Sequence, residues 1–255
     1  LMGAGEFSTS LHASFIRVND NVNTTGLMRD AFKNSTDTTF LLKHSTMMGW
    51  MAFSAMSEGA KNFTWVAENL EVKSGDSFVN ASQYATGGVV NISAEVTSLA
   101  ERSFSNLLCE ATETTVQLDL SVTASERAFV NALRGFSHGS STVPVRLTVH
   151  GKYSNPTSDR SFEYFLANCT DVQVVASLYE ISEDSFLGMA SGATNVSVAI
   201  EGSIRSTALR HLGSWSTDSS FIVTLETGGM LLDDALTEAL NTNLTLHASH
   251  GIDSD

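Results

Sequence analysis

Apolar and polar residues alternate along VPVRLTVHG, Val143–Gly151, and again along NLTLHASHG, Asn243–Gly251. Alternation with a period of two marks a strand with one buried face. The same pattern runs through VVNISAEV, TTVQLDLSV, VQVVASLYE, NVSVAIEGSI and SFIVTLE, each rich in β-branched residues and bounded by Gly, Ser, Asn or Asp. It turns Val116, Leu118, Leu120 and Val122 inward from one strand, and Val143, Val145, Leu147 and Val149 from another. Between strands the spacing changes. Apolar pairs fall four apart at Leu27/Met28 and Ala31/Phe32, at Ala128/Phe129 and Ala132/Leu133, and at Leu231/Leu232 and Ala235/Leu236. That spacing predicts one face of a short helix. Thr123 and Glu126 supply a T-x-x-E capping box for the middle helix, and Gly135 can end it.

These elements recur. The alanines step from 31 to 132 to 235, by 101 and 103 residues, and glycines follow at 49, 151 and 251. NFTWV at Asn62 returns as NCTDV at Asn168, and NISAEV at Asn91 returns as NVSVAI at Asn195. A period near 100 residues exceeds that of helical solenoid repeats, roughly 20–50 residues, and suits whole domains. The expected fold is therefore mostly β: tandem antiparallel β-sandwich domains, immunoglobulin- or fibronectin-like, each with one short capping helix. Residues 1–7, LMGAGEF, read as a cloning remnant and 8–45 as the tail of a preceding unit. Two β-sandwich repeats then cover 46–147 and 148–255.

Composition narrows the function classes. The 255 residues carry 28 acidic and 14 basic side chains, a net charge of −14, with no basic stripe to attract nucleic acid. No run approaches the ~18 apolar residues of a membrane helix. Sequons of the form N-x-S/T stand at Asn23, Asn34, Asn62, Asn80, Asn91, Asn168, Asn195 and Asn243. Their number points to a glycosylated extracellular or luminal protein, anchored by a segment outside this chain. Cys109 and Cys169 are candidates for a disulfide in such a compartment, or for two separate buried thiols.

Catalytic patterns are poor. GFSHG at Gly135–Gly139 matches the G-x-S-x-G nucleophile elbow, but that elbow needs a strand before the serine and a helix after it. Here the predicted order is reversed, so a serine hydrolase ranks last and a Gly/Ser turn first. SGDSF at Ser74–Phe78 is no stronger. Asp233 and Asp234 fall on the polar side of a predicted helix. His247 and His250 point to opposite faces of a strand end, which leaves no metal site. Neither catalytic residues nor a cofactor are assigned.

The helix with its F-x-x-A-L core together with VPVRLTVHGKYSNPTSDRSF, residues 126–165, resembles the sandwich repeats of late-embryogenesis-abundant, water-stress-type proteins. The resemblance implies a membrane-associated, non-enzymatic domain that touches lipid. Two functions stand from the sequence: a cell-surface or luminal spacer that binds a protein or glycan partner, and a unit that carries lipid beneath its helix.

Overall fold

The computed structural model describes residues 10–248, apart from 14–28, 44–45, 48–50, 52, 73–75, 101, 125–127, 138–142, 152–161, 182–185, 205–208 and 226–233. Its strands are β1 (Ser10–Ala13), β2 (Thr39–Lys43), β3 (Thr46–Met47), β4 (Thr64–Val72), β5 (Val89–Ala100), β6 (Thr115–Ala124), β7 (Val143–Gly151), β8 (Val172–Ile181), β9 (Ser197–Ile204), β10 (Ser220–Leu225) and β11 (Asn243–Ala248). They form one sheet in the order β1-β2-β4-β5-β6-β7-β8-β9-β10-β11, with β3 beside β4. Every pairing is parallel. The chain is a β-solenoid: each coil contributes one strand and returns through a string of turns to lie on its predecessor.

The antiparallel β-sandwich with capping helices is thereby corrected, and with it the sandwich architecture that the family resemblance implied. No helix occurs among the described residues. The segments expected as helices, around Phe129–Leu133 and Ala235–Leu236, are turns. Thr123 of the supposed capping box lies inside β6, and β7 itself crosses the 147/148 boundary expected between two domains. The strand segments and their inward parity hold. Val116, Leu118, Leu120, Val145 and Leu147 are all buried, while the side chains of Val122, Val143 and Val149 lie outside the described set.

The unit is much shorter than 100 residues. A ladder of single bridges joins Thr36, Lys61, Thr86, Thr112, Ser137, Thr170, Thr194, Thr217 and Leu240, at steps of 25, 25, 26, 25, 33, 24, 23 and 23 residues. Ala31, Ala132 and Ala235 each precede their bridge residue by five positions, so they are equivalent, but four coils apart. The 100-residue echo is thus four coils long.

Stacking of like on like builds the core. Eight residues before six of these nine bridge residues, from Lys61 to Thr194, stand Phe53, Phe78, Phe104, Phe129, Phe162 and Phe186. Their rings form one column, with successive centroids 5.0–5.1 Å apart and planes within 3–17°. All six are fully buried. The spacing is set by the backbone, because paired strands lie ~4.7–4.9 Å apart and each coil carries its phenylalanine along. Offset-stacked rings add to the burial term at that distance. Trp65 packs beside the start of the column, 6.0 Å from Phe53 and 6.1 Å from Phe78.

The turns have a regular backbone. Amides that close a turn onto the carbonyl three residues back alternate with amides that reach a neighbouring coil. Between coils, Ser57 N donates to Ala31 O at 2.9 Å and Gly59 N to Gln83 O at 2.7 Å; within its own turn, Ala60 N donates to Ser57 O at 3.1 Å. With this alternation, positive φ recurs at most second positions of the turn strings, the column residues Phe53, Phe78 and Phe104 excepted. One such row is Asp37, Asn62, Glu113, Asp171, Asn195, Asp218 and Asn241, at φ between 48° and 57°, with Gly87 in the same row at 65°. Asn, Asp and Gly tolerate this region best, since it costs other L-residues about 1–2 kcal/mol each. A second row, including Phe32, Leu108, Leu133, Leu166 and Leu236, holds φ of 54–60° with apolar side chains. There burial and stacking offset the backbone cost.

Two outcomes follow for stability. Phe104→Ala opens a gap in the middle of the ring column and is expected to cost about 3–5 kcal/mol in chemical denaturation; a loss under ~1 kcal/mol would contradict the column. Glu113, exposed and at φ 51°, occupies a row otherwise filled, among the described residues, by Asn, Asp and Gly. Glu113→Asn is expected to raise stability by about 0.5–1 kcal/mol in the same assay, and a decrease would contradict the backbone assignment.

Candidate binding surfaces

The solenoid offers two faces, the outer side of the sheet and the string of turns. On the sheet, one row in register runs Asp119, Arg146, Val175, Ala199, Ile222 and Thr245 across β6 to β11. Val175 is 46% exposed and Ile222 40% exposed, a short apolar stripe. Polar residues flank it: Gln173, Ser197, Ser220 and Asn243 on one side, Ser177 and Glu201 on the other, the last two joined by a 2.7 Å hydrogen bond.

Toward the first coils the sheet is interrupted. The β4–β5 register shifts between Ala67 and Leu70, and Asn69 there has φ 53°. A bulge of this kind bends its strand and re-aims side chains. Beside it lies an open trough of about 280 Å³, lined by Asn69, Leu70, Glu71, Ser93, Glu95 and Asp119 among others. That is at the small end for a ligand site, typically ~300–1,000 Å³.

Asparagine positions reflect the coil geometry. Asn34, Asn62, Asn80, Asn168 and Asn195 all have positive φ, between 48° and 58°. Asn34, Asn62, Asn168 and Asn195 are exposed, whereas Asn80 and Asn91 are half-buried. Asn91 sits inside β5, Asn243 opens β11 exposed, and Asn23 lies outside the described residues. The side chains at the turn form pairs between coils. Asn62 Nδ2 donates to Asp37 Oδ1, Asn195 Nδ2 to Asp171 Oδ1 at 2.6 Å, and Asn241 Nδ2 to Asp218 Oδ1. Two of these asparagines need a residue that accepts positive φ, and the strand then opens on Thr64 or Ser197. An N-x-S/T triplet therefore has a structural source here as well as a chemical one.

Cys109 and Cys169 are both free and buried. Cys109 belongs to the coil of Thr112 and Cys169 to that of Thr170, two rungs further on. Two rungs are about 10 Å, beyond the ~7 Å that a disulfide can bridge between Cα atoms. Burial, and then the Glu110 carboxylate, push the Cys109 thiol up; burial pushes Cys169 up strongly. A thiol whose pKa is raised by folding stabilises the fold below its unfolded pKa and withdraws that stability as pH climbs above it.

GFSHG does not form an elbow. Gly135 is in a turn at φ 64°, and Ser137 is a bridge residue between Thr112 and Thr170. His138 and Gly139 lie outside the described residues, as do His250 and Asp233, while His247 is exposed on β11 and Asp234 is exposed in a turn. SGDSF begins outside the described residues and ends in Phe78 of the ring column. The inward Phe129 and Leu133, which a lipid cavity would need to line it, are fully packed.

Among the described residues the turn face carries three exposed aromatic rings that sequence analysis did not single out: Tyr84 at 51%, Tyr164 at 43% and Trp215 at 57% exposure. They stand in rows that other coils fill mostly with Asn, Asp, Gly or Glu, with Ala55 and His211 also in the row of Tyr164, and that contrast becomes a signal only once the coil period is known.

The thiols give a direct check. In the native protein at pH 8 both cysteines are expected to resist a maleimide reagent, Cys169 more than Cys109, and both to react on unfolding without prior reduction. Immediate native labelling, or a reduction requirement after unfolding, would contradict the burial and the separation.

No family model matches the chain, and neither a curated protein nor a solved structure matches it.

Proposed function

We propose that the chain is a non-enzymatic binding and spacing element of an extracellular or luminal protein. The observation that carries this reading is the outer face of the sheet. Across β8 to β10 it presents an in-register apolar stripe at Val175, Ala199 and Ile222 inside a polar rim, covered by no other part of the described chain. Solenoids use such extended faces for recognition, because neighbouring coils hold them rigid without a deep pocket. An exposed apolar centre with a polar surround is the usual anatomy of a protein-binding patch.

The interior supports the same choice over lipid carriage. The six-ring column and Trp65 fill the space between sheet and turns. Room for an acyl chain would require the coils to part. The secretory location rests on the sequons, of which Asn34, Asn62, Asn168, Asn195 and Asn243 are exposed.

The test uses protein from a eukaryotic secretory host, applied to a panel of immobilised extracellular proteins. Val175→Lys with Ile222→Lys is expected to leave the melting curve unchanged and to remove binding. Binding that survives the double substitution, or stoichiometric lipid extracted from the purified protein, would overturn the reading. Enzymatic deglycosylation that leaves the mass of the secreted protein unchanged would remove the support for the compartment.

A further inference from the structure

We infer that the turn face of the last coils holds a carbohydrate-binding surface built on Tyr164 and Trp215. The inference rests on the partner-binding reading but uses the opposite face of the solenoid, so each can fail without the other.

Backbone bonds set the layout. Tyr164 N donates to Leu187 O and Gly188 N to Arg210 O, which stacks Tyr164, Gly188 and His211 in one row. Asn168 N donates to Ser191 O, Gly192 N to Ser214 O and Trp215 N to Thr237 O, which stacks Asn168, Gly192, Trp215 and Glu238 in the next. The coil between Tyr164 and Trp215 thus presents glycine in both rows. A Cβ on Gly188 would meet Tyr164 Cε1 at 2.7 Å and Cδ1 at 2.8 Å. The phenol ring therefore lies on the bare backbone of the next coil, with its other side 43% exposed as a residue. The Asn168 carboxamide lies over Gly192 in the same way. Trp215 is fixed differently: its Nε1 donates to Glu238 Oε2 at 3.0 Å, one coil on.

Both rings are thus held in place before any ligand arrives, which lowers the ordering cost of binding. They sit two rungs apart along the axis, about 10 Å, and also in different rows across the turn face, so a ligand that touches both is an oligosaccharide and not a single sugar. Ring faces are negative and attract the polarised C–H faces of a pyranose. Its hydroxyls need mixed donors and acceptors, and Ser191, next to Gly192, and the Glu238 carboxylate, whose Oε2 accepts from Trp215, provide them beside the rings. Nucleic acid would also stack on aromatics, but Asp171, Asp218, Asp234 and Glu238 surround this face and repel phosphate.

The experiment uses the whole chain made in bacteria, so that no glycan occupies Asn168 or Asn195. Affinity electrophoresis in gels containing soluble xylan, laminarin or hydroxyethylcellulose, with sedimentation on insoluble chitin and cellulose, reads binding. At least one polysaccharide is expected to retard or sediment the protein. Tyr164→Ala and Trp215→Ala should each weaken that binding at least tenfold, while Tyr84→Ala, on the same face several coils away, should not. The matching oligosaccharide should shift the exposed Trp215 emission to the blue, a change absent in Trp215→Phe. Circular dichroism and melting curves check that each variant is folded. No interaction with any of the five polymers, or binding indifferent to both Tyr164→Ala and Trp215→Ala in folded protein, would overturn the inference. The sheet-face double substitution Val175→Lys with Ile222→Lys should leave polysaccharide binding intact; its loss there would move the site to the other face and overturn the inference as well.

Discussion

Every coil of this chain must fit the one before it at the spacing of paired strands, near 4.8 Å. That constraint selects the rest. Flat rings satisfy it because they stack at 5.0–5.1 Å with nearly parallel planes, from Phe53 to Phe186. Asn, Asp and Gly satisfy it in the turns, because the alternation of local and inter-coil hydrogen bonds goes with recurrent positive φ. Where a coil breaks the pattern, the surface changes. The Asn69 bulge opens a trough on the sheet, and two glycines in one coil leave a bed on which Tyr164 and Asn168 lie.

Strand positions and inward parity were legible in the alternation itself, since a half-buried strand has period two whatever its partners do. The pairing direction was not. An alternating strand with one wet face usually belongs to an antiparallel sheet, and parallel sheets are usually covered on both sides. A solenoid is the exception, because its return path runs behind the sheet and leaves the front bare. The repeat was legible only as a multiple. Ala31, Ala132 and Ala235 are equivalent but four coils apart, and the intervening coils carry Met56, Ala81 and Leu107, then Phe165, Met189 and Leu212, at the same position. The 33-residue step between Ser137 and Thr170 further blurred a period near 25. The phenylalanines at 53, 78, 104 and 129 were the plainest sign of it.

The helices were misread for a related reason. Apolar pairs four residues apart also arise when a turn chain sends residues such as Ala128, Phe129, Ala132 and Leu133 inward while its backbone alternates between the two φ regions. Hydrophobic spacing reports which side chains face the core, and it cannot separate two backbones that share that spacing. The candidate binding residues were hidden for the same cause: Tyr164 and Trp215 become unusual only against the mostly small or polar residues of the aligned coils.

A rod of stacked coils is suited to holding surfaces at fixed separations, and the most direct test measures those separations. With both native cysteines replaced, spin labels would be placed at Asp119 and, in turn, at Ala199, Ile222 and Thr245, which lie three, four and five strands away in one outward row. Pulsed dipolar spectroscopy should return distances near 14, 19 and 24 Å, rising by about 4.8 Å per strand. Distances that fail to rise in that order, or an Asp119–Thr245 separation shorter than Asp119–Ala199, would contradict the parallel solenoid.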